Sequence, residues 1–200
     1  MSTRDKLVET AARLFADNGF GATGMSEILR RAGAHRGSLY HAFPAKKDLL
    51  VAVLERYRNG MDVRLIEPAW RGVVDPIDRV FALLDRYRAF LVDTECTFGC
   101  PIGSLALELH SPDEEIRALL VANFNVWTRK IEECFNAARG QFPAGTDFRA
   151  LAVLALTTME GGVMLARTHR SLEPFDTAVA TFRDYIDLLR TADPGAVKVG

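Results

Sequence analysis

Apolar residues recur along this chain at intervals of three and four almost from end to end, the spacing that lines one face of an α-helix. Leu7, Ala11, Leu14 and Phe15 predict a helix over 3–17, stopped by Asn18-Gly19. Met25, Ile28, Leu29 and Ala32 predict a short second helix broken at Gly33. Leu39 and Phe43 predict a third over 36–42, ended by Pro44. The pattern then lengthens. Leu49/Leu50, Val53/Leu54, Tyr57, Met61 and Leu65 stripe a helix over 46–65, with Glu67-Pro68 and Gly72 as punctuation. Asp75-Pro76 opens the next, marked by Ile77, Val80/Phe81, Leu84, Tyr87 and Leu91. A break at 97–101 precedes a short apolar helix over 102–109. Ser111 as N-cap and Pro112 at the first helical position predict a helix to about 139, through Ile116, Leu119/Leu120, Phe124, Trp127, Ile131 and Cys134/Phe135. Residues 148–168 are apolar nearly all round and need burial on two sides. Glu173-Pro174 opens a last helix striped by Phe175, Ala178/Val179, Phe182, Tyr185/Ile186 and Leu189, and 193–200 reads as a disordered tail. No strand alternation or repeat interrupts this, so the predicted class is all-α.

Charge sharpens the division between the short helices and the long ones. The chain is almost neutral, with a net charge of −1. Residues 1–50 hold eight Lys/Arg against five Asp/Glu, a net of +3, and the remainder carries −4. A basic head on an acidic body suits a polyanion at one end. No N-terminal apolar segment of the kind that directs secretion is present, and no stretch reads as spanning a membrane. The expectation is a cytoplasmic protein without membrane contact, its Cys96, Cys100 and Cys134 reduced. Cys96 and Cys100 lack a second Cys/His pair at zinc-finger spacing, so no metal site and no cofactor are expected.

Three helices in under fifty residues, with a tight glycine turn between the second and third, have the length and punctuation of a helix-turn-helix. Arg36, Ser38, Tyr40 and His41 project from a helix whose other side, Leu39 and Phe43, is apolar. Such a helix presents donors to base edges and phosphates while staying anchored. Lys46, at the start of the next helix, reaches a phosphate as a point charge.

The segment Arg36-Gly37-Ser38-Leu39-Tyr40-His41-x-Phe43, followed by Lys46-Lys47-Asp48-Leu49-Leu50, resembles the recognition helix and fourth-helix start of the TetR/AcrR family of transcriptional regulators. Gly19-Phe20, Thr23, Ile28 and Ala32-Gly33 fall in register with it. The segment from Cys100-Pro101-Ile102-Gly103-Ser104-Leu105-Ala106 to Glu108 is similar to one in drug- and flavonoid-responsive and AcrR-like branches. There are departures: Gly24 stands where the family often has Ser or Thr, His35 where Ser or Asn precedes the recognition helix, and Ala42 where His or Tyr is usual. The resemblance implies a helix-turn-helix DNA-binding head over 1–46 and a six-helix ligand-binding and dimerisation body over 47–192. It implies a homodimeric repressor on double-stranded operator DNA, released by a small-molecule inducer, apolar or aromatic in character. Thr23, Gly24, His35, Arg36, Gly37, Ser38, Tyr40, His41 and Lys46 are its expected DNA-contacting residues.

In the body, Met61, Phe90, Phe98, Phe124, Trp127 and Met164 are candidates to line a ligand pocket, where aromatic and Met side chains adapt to ligand shape; for any single one of them plain core is the stronger reading. Asn123, on an apolar seam, calls for a hydrogen bond to a neighbouring helix or to a ligand. Glu160 interrupts an apolar run and suits either a ligand or an Arg partner. Cys100, at a predicted helix N-terminus with Cys96 nearby, is a candidate sensor of electrophiles or oxidants. Read as an enzyme, Cys100, Glu108 and His110 offer nucleophile, orienter and base, but Glu108 and His110 are two apart on a helix and face differently. No phosphate loop, dinucleotide fingerprint or carboxylate dyad accompanies them, so no catalytic residue is assigned. A DNA-bound scaffold acting on another protein is the remaining alternative.

Overall fold

The computed structural model describes residues 2–97 and 99–191. Phe98 and the tail at 193–200, both the subject of expectations above, lie outside the described residues. The helices are α1 (Thr3–Asn18), α2 (Met25–Ala32), α3 (Arg36–Ala42), α4 (Lys46–Met61), α5 (Glu67–Trp70), α6 (Pro76–Asp93), α7 (Pro101–Glu108), α8 (Glu114–Ala137), α9 (Phe148–His169) and α10 (Glu173–Thr191). No strand occurs among the described residues, as the all-α expectation requires.

Packing divides the chain into two compact units. One takes residues to Gly60 together with Gly99–Phe124; the other takes the chain from Met61 up to that segment and from Asn125 onward. Each has its own apolar core. This partition differs from a division at residue 46 because α7 and the start of α8 share a core with the first three helices.

In the first unit the local chemistry follows the sequence closely. Ser2 caps α1, its hydroxyl accepting from the Asp5 N–H while the Asp5 carboxylate accepts from the Ser2 N–H. Gly33 ends α2 in the left-handed conformation, φ +60°, which a side chain adopts only at a cost. Leu7, Ala11, Ile28, Leu39, Phe43 and Leu49 meet in the core, with Leu105 and Ile116 against them. Two boundaries move. The helix begun at Lys46 does not stop near Leu65; a π-helical turn, Asp62–Ile66, already part of the second unit, carries it into α5 with Pro68 near its start. And α8 starts at Glu114, capped not by Ser111 but by Asp113, whose carboxylate accepts from the Ile116 N–H at 3.2 Å.

The second unit is built on α9, with α6 and α10 against it. Asp147 caps α9 through the Ala150 N–H at 2.9 Å. Leu151, Ala152, Ala155, Met159, Val163 and Ala166 form its buried face. Contrary to the expectation from sequence, α9 is long and apolar enough to cross a membrane: 22 residues, with a mean hydropathy of 1.4 over its most apolar window. The physical reason is its second apolar face, Val153, Leu154, Met164 and Leu165, which stays exposed in the single chain. Gly162 is where α9 meets α10: a Cβ there would lie 2.9 Å from a ring carbon of Phe175, whereas one on Gly161 would meet open space. The glycine pair thus allows close approach within the chain at Gly162 only.

Gly162→Ala should accordingly lower the melting temperature by forcing Phe175 aside. Gly161→Ala should leave it unchanged or raise it, since alanine is favoured over glycine in a helix by about 0.5–1 kcal/mol. Equal thermal melts for the two variants would contradict this packing.

Candidate functional site

The exposed surface of α3 is the most organised polar feature of the first unit. α3 is seven residues long, and His35 precedes it as N-cap without a side-chain cap bond. Its inner side is firmly held, with Leu39 0% and Phe43 2% exposed. Arg36, Gly37, Ser38 and His41 lie outward beside Tyr40, which is 41% exposed. The Arg36 guanidinium sits 5.6 Å from the Tyr40 ring centroid, one helical turn away, and this cation–π contact keeps both side chains on the outer face. Gly24, the N-cap of α2, is exposed as well. Seven of the nine expected DNA-contacting residues are therefore on the surface.

The other two are not placed as the sequence suggests. Thr23 is buried, 2% exposed, and its hydroxyl donates to the carbonyls of Gly19 (2.7 Å) and Leu14 (3.2 Å), so its side chain serves the turn. Lys46 is half-buried. Its ammonium donates to the Phe20 carbonyl and, at 3.4 Å, to that of Gly21, and it stands 4.2 Å from the Phe20 ring centroid. Desolvation by burial lowers its pKa from the ordinary lysine value, with the charge of Glu108 acting in the opposite sense. The ammonium is engaged inside the protein, where a phosphate contact would need it in solvent.

Glu108 is the residue that sequence reasoning missed as a builder of this surface. Its carboxylate accepts the N–H groups of Phe20 (2.7 Å) and Gly21 (2.5 Å), 88 and 87 positions earlier in the chain. The segment resemblance included Glu108, but nothing in helical periodicity announces a partner so distant. This bonding also gives it a structural employment outside the Cys100-Glu108-His110 arrangement.

Much of the first unit's positive charge is internally balanced. Arg30 and Arg31 both bind the Glu27 carboxylate, which lowers the pKa of Glu27, chiefly through these hydrogen bonds. Lys47 pairs with Asp113 and Glu115, both at 2.9 Å, and Arg56 with Glu9. Arg36 is instead held by an aromatic ring, which leaves its charge available outward.

The body candidates do not converge on one place. In the first unit, Asn123 is 1% exposed and its amide donates to the carbonyls of Leu54 (3.1 Å) and Leu119 (2.9 Å), the neighbouring-helix bond that the sequence offered as one alternative. Phe124 packs half-buried on the same core. In the second unit, Trp127 is buried, with an indole N–H that has no hydrogen-bond acceptor among the described residues. Met61 and Phe90 pack at the edge of that core, and the Arg86 guanidinium lies 4.5 Å from the Phe90 ring centroid. Glu160 is half-buried on α9. Met164 departs from the expectation of a pocket: it is 50% exposed on the outer apolar face of α9. Beside that face, Leu154, Thr158, Ala178, Thr181, Phe182 and Tyr185 line an open groove of about 480 Å³ between α9 and α10. Cys100 is the N-cap of α7 with Pro101 at the first helical position, as expected, but it is buried.

Comparison with known proteins accords with this architecture. A model of the bacterial regulatory proteins of the tetR family matches residues 7–53. A model described as transcriptional regulator LmrA/YxaF-like, C-terminal domain, matches residues 76–181. An HTH-type transcriptional regulator of Mycobacterium tuberculosis is 33% identical over 188 residues, covering 92% of this chain and 93% of its own. Among solved structures, a regulatory protein TetR from Rhodobacter sphaeroides superposes with a TM-score of 0.80 at 26% identity, over 90% of this chain and 97% of its own. Reduced Escherichia coli NemR does so with a TM-score of 0.78 at 26% identity, over 91% and 95%.

The two sides of α3 should separate cleanly by mutation. Leu39→Ala should cost about 2–5 kcal/mol of stability by opening a cavity in the core. Arg36→Ala should leave the melt nearly unchanged and flatten the salt dependence of duplex binding by about one unit. Lys46→Ala should leave that slope unaltered, and a flattened slope for Lys46→Ala would restore it as a phosphate contact.

Proposed function

The chain belongs to the TetR family of transcriptional regulators, and we propose that it acts as a homodimeric repressor, inside the cell, that leaves its operator when a small apolar or aromatic molecule binds the body. The observation that carries the DNA-binding part is α3 itself, with Leu39 and Phe43 buried and Arg36, Ser38, Tyr40 and His41 outward on a helix of seven residues. A recognition helix needs that arrangement: an anchored back and a donor-rich front. Residues 1–46 serve as the head and 47–192 as the body in this reading. Arg36, Ser38, Tyr40 and His41 face the major groove, with His35, Gly37 and Gly24 close to the backbone.

The dimer reading rests on the outer face of α9 and α10. Val153, Leu154, Met164 and Leu165 on α9, with Tyr185 and Leu188 on α10, are exposed apolar residues on two adjacent helices. A contiguous apolar face of this kind marks an association surface. Two copies joined there form a four-helix bundle and carry two recognition helices to successive major grooves of a pseudo-palindrome. The inducer acts by binding the non-DNA conformation better. Trp127, whose buried indole N–H has no acceptor among the described residues, and Phe90, with the Arg86 guanidinium beside its ring, support an aromatic inducer with a hydrogen-bond acceptor.

The test begins with selection of bound duplexes from genomic fragments, followed by a screen of small molecules for release. Leu154→Arg should shift the protein from dimer to monomer in light scattering at micromolar concentration and abolish binding to the selected duplex. A wild-type monomer would overturn the dimer reading. A partner protein retained on DNA, with no small molecule causing release, would favour the scaffold reading.

A second reading, sensing of electrophiles or oxidants at Cys100, is favoured by its place at the N-cap of α7, where the helix dipole stabilises a thiolate. Its burial to 7% exposure opposes this. Cys134 is a natural internal contrast, since burial pushes its thiol up to about 11 and leaves little thiolate at neutral pH. Maleimide should then modify Cys100 ahead of Cys134 and weaken operator binding. Unchanged affinity after full modification of Cys100 would remove the thiol reading.

A further inference from the structure

The turn between α1 and α2 is gripped from two sides by opposite charges that come from elsewhere in the chain. On one side the Glu108 carboxylate, at the end of α7, accepts both the Phe20 and the Gly21 N–H, one to each oxygen. On the other side the Lys46 ammonium, at the start of α4, holds the carbonyls of the same two residues. The fit is close. A Cβ on Gly19, whose φ is +88°, would lie 3.1 Å from one carboxylate oxygen, and a Cβ on Gly21 would lie 3.0 Å from the other. Inside the turn, the Thr23 hydroxyl ties the Gly19 carbonyl. The residue after Thr23 is Gly24, the N-cap of α2, and only residues 33–35 separate α2 from α3.

Resting on the DNA-binding reading above, we propose that Glu108 is a positioning residue for operator recognition: it locks the α1–α2 turn to α7 and so sets where α2 and α3 present themselves. The carboxylate suits this role for a chemical reason. Two convergent N–H donors need two acceptor oxygens, and charge-assisted bonds to a carboxylate are stronger than neutral ones. An amide of the same shape offers one oxygen and one NH₂, so one backbone donor would face another donor. The grip is also reversible. Glu108 is exposed to water, unlike the Leu39 and Phe43 anchors, so its two bonds to the turn can break while the apolar core behind α3 stays intact. Position and integrity of the helix-turn-helix are in this way controlled by different residues.

The experiment uses the full-length protein, a duplex selected by the wild type from a random-sequence pool, and a scrambled duplex of equal length. Binding is read by fluorescence anisotropy below the melting temperature of every variant, and amide hydrogen exchange is followed at Phe20 and Gly21. Glu108→Gln should weaken binding of the selected duplex by roughly tenfold or more, while the scrambled duplex, held by phosphate contacts alone, changes by no more than about twofold. Exchange at Phe20 and Gly21 should speed up in parallel. Gly21→Ala, which pushes a methyl against the carboxylate and leaves every charge in place, should move both readouts in the same direction and serves if Glu108→Gln fails to fold. A purely structural Glu108 would lower the melting temperature and leave the affinity ratio of the two duplexes untouched, which overturns the proposal. A wild type that selects no duplex overturns the DNA-binding reading itself and the proposal with it.

Discussion

A helix of seven residues does not hold its shape in water by itself, because the cost of nucleating the first turn is not recovered over so short a length. α3 exists because Leu39 and Phe43 are driven out of water into a core shared with α1, α4 and α7. Everything on its outer surface depends on that burial. The Arg36–Tyr40 stack, the exposed Ser38 and the flanking histidines keep their spacing only while the back of the helix is anchored. α2 is only one residue longer and relies on Ile28 in the same way. The short helices are thus products of the core, and the polar surface is a product of the short helices.

The second unit shows the same dependence on burial at a larger scale. α9 has two apolar faces, and one chain covers only one of them, against α6 and α10. Its composition alone resembles that of a membrane-crossing segment. What distinguishes its outer face is interruption by Thr157, Gly161 and Thr168 among Val153, Leu154, Met164 and Leu165, together with a groove whose walls include Thr158 and Thr181. A helix-on-helix partner can accept such a mixed surface, because the hydroxyls satisfy themselves on backbone carbonyls, as Thr157 and Thr168 do on Val153 and Met164.

Charge in the first unit is distributed by the same logic of partners. Arg30, Arg31, Lys47 and Arg56 are each matched by a carboxylate, so formal charge overstates the field available to a polyanion. Exposed pairs of this type contribute little to stability. They do hold side chains in place, and they leave Arg36, backed by a ring, as a cation directed outward from α3.

By itself the sequence determined the helices, the turn at Gly33, the inward set of each stripe, the Asp75 and Cys100 helix starts and the outward set on α3. These follow from local physics: periodicity, the φ that glycine accepts, and the N-terminal preference of proline and aspartate. Only the tertiary structure decided which partner each polar group found. Thr23 turned inward to Gly19 and Leu14, Lys46 took the carbonyls of Phe20 and Gly21, Glu108 took their N–H groups, and Met164 lay outside rather than in a pocket. A stripe specifies which side of its own helix is apolar, and it carries no information on what lies opposite. The bond between Glu108 and Gly21 spans 87 positions, and its existence depends on how α7 docks against the first helices, a result of packing that no local pattern encodes.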